Sequence, residues 1–154
     1  MTEKEIETLT RETFERVCAR LAFWFEHGLS LDEYIDTVNT PDEDIIEAYK
    51  AQGDFFEYGL SFDFKPADGH TDGHYVYLIT WGGPQYEFRF YPGYVEFWYL
   101  DWFTGHGINV SDNETVKTLR SNLEDCQSID FDSKDPYDLY SSEHESSQEL
   151  IKWA

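Results

Sequence analysis

The chain has 154 residues, 40% apolar and 18% aromatic, with 32 acidic against 11 basic residues and a net charge of −21. That length and apolar content fit one folded domain over residues 1–154 and exclude a disordered acidic tail. The charge excludes nucleic acid and anionic membranes as direct partners, since both require basic patches; a basic protein surface, a cation or a high-salt habitat is left.

The chain opens with Thr2-x-x-Glu5, a capping box. Ile6, Leu9, Thr13, Phe14, Val17, Leu21, Trp24 and Phe25 then recur every three or four residues, and Gly28 suits the stop, so a first helix is expected. Ser30-x-x-Glu33 predicts a short second helix through Val38. Thr40-Pro41-Asp42-Glu43 predicts a third, capped by Thr40 with Pro41 at the first helical position and ending before Gly53.

From Asp54 the apolar period changes to two. Phe56, Tyr58, Leu60, Phe62 and Phe64 alternate with Glu57, Gly59, Ser61 and Asp63, which predicts a half-buried first strand. A loop over 65–73 leads to a second strand at 75–81, which Gly82-Gly83-Pro84 ends. A third is expected at 85–91 and, after Pro92-Gly93, a fourth at 94–103. Ser111-x-x-Glu114 predicts a capped helix to about Cys126. Residues 129–140 read as an extended acidic loop, and Ser142-x-x-Glu145 as the start of a last helix. The pattern predicts an α+β fold: a four-stranded antiparallel meander with N-terminal helices and one or two C-terminal helices packed on it.

Two Asp-Gly-His triplets, Asp68-Gly-His70 and Asp72-Gly-His74, form the sharpest small constellation. With His106 they have the donor chemistry of a transition-metal site, and a metal-dependent enzyme using His70, Asp72, His74 and His106 is one reading. Asp-Gly is also a common turn dipeptide, and a hairpin needs a turn here, so the site assignment is no metal, no cofactor and no catalytic residue. Gly82-Gly83-Pro84 is followed by nothing basic or helical and reads as a turn. Nucleophile elbows, His-Glu-x-x-His and Cys-x-x-Cys are absent from the sequence. Two cysteines, Cys18 and Cys126, are too few for a disulfide framework and read as free thiols in a reducing compartment. The opening Met-Thr-Glu-Lys-Glu has no apolar core, so a cytoplasmic location is expected.

The strand Gly82-Gly83-Pro84-Gln-Tyr-Glu-Phe-Arg-Phe, followed by Val95-Glu-Phe-Trp-Tyr-Leu-Asp101-Trp102-Phe103-Thr104, resembles a group of small acidic proteins encoded on phages, plasmids and prophages. The resemblance implies a mobile-element origin and brings no catalytic residue with it. In size and charge the chain is similar to the DNA-mimic class of anti-restriction proteins, anti-CRISPR proteins and glycosylase inhibitors. Such proteins place carboxylates where DNA places phosphates.

Charge is distributed over the whole chain: −8 over residues 1–53, −6 over 54–110 and −7 over 111–154. A folded chain carrying it presents carboxylates at set spacing to a basic groove, drawn by the Coulomb attraction that draws DNA there. The expected function is therefore inhibition of a basic nuclease or DNA-binding complex by DNA mimicry. Glu5, Glu12, Glu15, Asp36, Asp42, Glu43, Asp44 and Glu47 on the N-terminal helices would carry it, with Glu124, Asp125, Asp130, Asp132, Asp135 and Asp138. An immunity protein against a basic toxin nuclease follows the same charge logic. The 28 aromatic residues exceed what a small core buries, so an exposed aromatic edge around Tyr94, Trp98 and Trp102 is expected, serving a partner or a homodimer.

Overall fold

A computed structural model describes residues 2–133. Helix α1 (Glu3–His27) starts on the expected capping box: the Thr2 hydroxyl accepts from the Glu5 N–H and the Glu5 carboxylate from the Thr2 N–H. It stops at Gly28, whose N–H donates to the Trp24 carbonyl. The short α2 (Leu31–Thr37) is capped by Ser30, but Glu33 accepts from the Leu29 N–H rather than closing the box on Ser30. In α3 (Glu43–Gln52) the cap is Asp42, not Thr40, and Pro41 lies outside the helix. The Asp42 carboxylate sits two residues before the N–H of Asp44 and accepts from it at 2.8 Å, so the helix starts two residues later than Thr40 predicted.

The first strand begins later than expected. Phe55–Tyr58 is a one-turn helix, α4, and β1 covers only Ser61–Lys65. Asp54 and Glu57 stand at capping-box spacing; the Glu57 carboxylate accepts from the Asp54 N–H, while that of Asp54 accepts from the Leu31 N–H and ties α4 to α2. Local capping outweighs the alternation of aromatics in 56–60, and Phe56 and Leu60 are left exposed.

The sheet has five strands in sequential antiparallel order: β1, β2 (His74–Thr80), β3 (Gln85–Tyr91), β4 (Tyr94–Asp101) and β5 (Thr104–Asn109). The predicted fourth strand is β4, ending two residues earlier than expected, and β5 is a fifth strand that was not expected. Trp102, at φ 44°, turns the chain so that Asp101 pairs with Thr104 and β5 returns along β4. A bulge between Leu78 and Thr80 shifts the pairing of β2 with β3. Helix α5 (Glu114–Gln127) follows; its cap is Asn113, whose side chain accepts from the Val116 N–H, rather than Ser111. The hydroxyl of Ser111 instead accepts from the Val95 N–H. The last helix expected from Ser142 lies outside the described residues.

Period two separates the faces of the sheet. Tyr75, Tyr77, Phe88, Phe90, Val95 and Phe97 face the helices, where Phe14, Val17, Leu21 and Trp24 of α1 and Val116, Leu119 and Leu123 of α5 close the core. Phe14 meets Phe97 at 5.4 Å between ring centres, and Phe131 stacks on Phe90 at 4.5 Å. The fold is α+β, with its helices on this face. Among the described residues no helix is long and apolar enough to cross a membrane.

Candidate protein interface

Helix α1 needs its acids for more than charge display. Glu5 is a cap, and its hydrogen bonds from Thr2 hold its carboxyl below the usual range. Glu12 and Glu15 are exposed, but Lys4, Arg11, Arg16 and Arg20 are exposed on the same helix. The α1 surface is therefore of mixed sign. Half-buried beneath it, Cys18 has its thiol pushed up to about 12, first by desolvation and then by the Glu15 charge.

The sequence changes character after Arg20. No Lys or Arg occurs until Lys50, while Glu26, Asp32, Glu33, Asp36, Asp42, Glu43, Asp44 and Glu47 all fall in that interval. All eight are exposed. This run covers the end of α1, the whole of α2 and most of α3. It is anchored from beneath: Tyr34 and Tyr49 are both buried and their rings lie 5.8 Å apart. The Tyr34 hydroxyl accepts from the Asp42 N–H, and that of Tyr49 donates to the Gly28 carbonyl. Desolvation, then the charges of Glu33 and Asp54, pushes the Tyr49 hydroxyl up to about 12. Trp24, fully buried, donates from Nε1 to the Gly53 carbonyl at 3.0 Å and fixes the end of α3 against α1. Asp36, Glu43, Asp44 and Glu47 thus stand on short helices pinned by aromatic side chains. Glu26, Asp32 and Glu33 belong to the same surface and were missed by sequence reasoning; the absence of any Lys or Arg between Arg20 and Lys50 was the signal available.

The second expected acidic group does a different job. Glu124 accepts from the Phe131 N–H and lies 4.0 Å from Arg120. Asp132 accepts from Arg120 at 2.8 Å and from the Gly93 N–H, and Asp130 accepts from the Asp132 N–H. These three carboxylates hold the turn after α5 against that helix and the β3–β4 hairpin. Asp125 is exposed; Asp135 and Asp138 lie outside the described residues.

The histidines are not brought together. His70 is exposed in the loop, where Asp68 accepts from the N–H groups of His70 and Thr71 at 2.7 Å, a turn that holds the Asp68 carboxyl below its usual range. His74 is buried, its ring stacked on Tyr91 and its Nδ1 2.8 Å from the Asp72 carbonyl. His106 pairs with Tyr99 on the helix side of the sheet, whereas His74 is on the other. Among the described residues no three metal-ligating side chains are placed to hold one ion.

That other face of the sheet carries an ordered polar and aromatic array. Glu87, buried, accepts from Arg89 and Gln85 at 2.7 Å each. The Arg89 guanidinium lies over the Trp98 ring at 4.3 Å, and Trp98 Nε1 donates to Glu96. A Cβ at Gly107 would overlap the Trp98 ring, so this glycine of β5 lets the indole lie across the neighbouring strand. Tyr94 stacks on Tyr91 at 4.6 Å. Tyr94 and Trp98 are half-buried, so of the three aromatics expected at an exposed edge only Trp102 is fully presented. Comparison with family models, curated proteins and solved structures finds no match for this chain.

Proposed function

We propose that this protein is a binding inhibitor that occupies the basic nucleic-acid groove of a nuclease or DNA-binding complex by mimicking the charge of DNA. The observation that carries this is the run over 26–47 without Lys or Arg: eight exposed carboxylates on α1–α3, held from below by Tyr34, Tyr49 and Trp24. A rigid anionic surface releases counterions from a basic groove as a phosphate backbone does. The reading narrows the contact surface from the helical layer as a whole to α2, α3 and their junction with α1. On this reading the mixed-charge surface of α1 lies at its margin, as do Glu124, Asp130 and Asp132, which serve internal contacts.

The test is competition. The full chain, immobilised at about 50 mM salt, should retain a protein of isoelectric point above about 9 from a cell lysate. Duplex DNA should displace that protein, and its affinity should fall steeply as salt is raised. The variant D32N/D36N/E43Q/D44N/E47Q, which spares the caps Glu33 and Asp42, should retain at least about tenfold less. Retention that neither DNA nor salt disturbs would sink the mimicry reading.

A further inference from the structure

The end of the sheet where β2 passes to β3 and β4 to β5 has a composition unlike the rest of the molecule. Both turns lie at this end, since the strands alternate in direction and Gln85 pairs with Leu100 just below them. Trp81, Trp102 and Phe103 are 74%, 88% and 100% exposed. A Cβ on Gly83 would stand 3.4 Å from Trp102 Nε1, so the two turns touch. Across residues 80–85 and 100–105 the only charged side chain is Asp101. The result is an aromatic tip with a single carboxylate on a chain of net charge −21.

We propose that this tip is an apolar anchor that seats in a recess beside the basic groove of the same protein partner; the inference rests on the function proposed above. Charge selects this occupant. A second copy brought tip to tip sets −21 against −21, and an anionic bilayer or nucleic acid is repelled in the same way. A cationic protein is the surface that the rest of the chain attracts. Trp and Phe are suited to the anchor's work: they bury much area with few rotatable bonds, and such residues dominate the dehydrated centre of interfaces. Carboxylates speed and orient the encounter, whereas a buried aromatic slows release. The two surfaces therefore differ in their response to salt.

The closing experiment compares three full-length forms as immobilised bait: the native chain, W81S/W102N/F103S, and the acidic variant described above. Asn is chosen at position 102 because it tolerates a positive φ; circular dichroism and Tm check that each form folds. The native chain should still hold a basic protein at about 500 mM salt, where exposed charges are screened. The tip variant should capture the same protein at about 50 mM but hold at least about tenfold less at about 500 mM. The acidic variant should lose capture at low salt. Equal retention by the native and tip forms at high salt overturns the anchor. Loss on changing the tip with none on changing the acids keeps the anchor and overturns the mimicry. A native chain that retains no basic protein overturns both. Sedimentation and flotation with phosphatidylcholine vesicles separate the other occupants: a dimer that the tip variant dissolves, or a native chain that floats, reassigns the tip to a second copy or to a bilayer.

Discussion

At the scale of single residues, Gly107 and Trp98 show how a sequence signal changes meaning once it is placed. His106, in Thr104-Gly-His-Gly107, read as a residue able to add a ligand to a metal site. In the fold this segment is part of an edge strand whose glycines make room: Gly105 for Leu100 and Gly107 for Trp98. The indole then lies between the backbone of β5 and the guanidinium of Arg89, with Glu87 buried beside it. We expect Gly107→Val to force Trp98 off its seat and cost about 1–3 kcal/mol. Urea denaturation measures the loss directly; an unchanged midpoint would mean the ring has somewhere else to go. Lifting Trp98 should also separate it from Arg89, so its fluorescence should change in the folded state.

At the scale of elements, helix starts were easier to find than strand boundaries, because a cap is a local bond and a strand edge is not. All the predicted helices over the described residues exist, although Asp42 and Asn113 displace Thr40 and Ser111 as caps. In each case a side-chain oxygen nearer the first turn won. The one-turn α4 was legible in Asp54-x-x-Glu57, the same spacing read correctly at Thr2, but the alternating aromatics from Phe56 masked it. The strand β5 was not legible, since Gly and His at alternate positions give no apolar period. Asp54 starts α4 and ties it to α2 through the Leu31 N–H at 3.1 Å. Asp54→Ala should therefore cost about 1–2 kcal/mol, more than a surface carboxylate normally contributes. Hydrogen exchange on Leu31 should quicken if the contact matters, and an unaltered rate would contradict this account.

At the scale of the whole molecule, the total charge was plain from the composition, but its partition was not. The interval without Lys or Arg after Arg20 was legible in the sequence, but only side-chain exposure shows that all eight of its carboxylates face solvent. Likewise no count of carboxylates reveals that Glu124, Asp130 and Asp132 are occupied by backbone N–H groups and Arg120. A net charge of −21 on one domain opposes its own compaction. Sodium chloride raised from about 50 to about 500 mM shortens the screening length several-fold and should stabilise the fold. We expect a gain of about 1 kcal/mol, roughly 2–4 °C in Tm for a chain of this length. A Tm that fell with salt would show that local ion pairs outweigh the long-range repulsion.

The run without Lys or Arg has a practical consequence for chemistry on the bench. Trypsin cuts after Lys and Arg, so residues 21–50 leave a digest as one fragment. That fragment carries all eight carboxylates of the run, and its aromatics include Trp24, Tyr34 and Tyr49. Carbodiimide labelling of free and partner-bound protein, followed by digestion, thus records in the mass of a single peptide how many of those acids a partner shields.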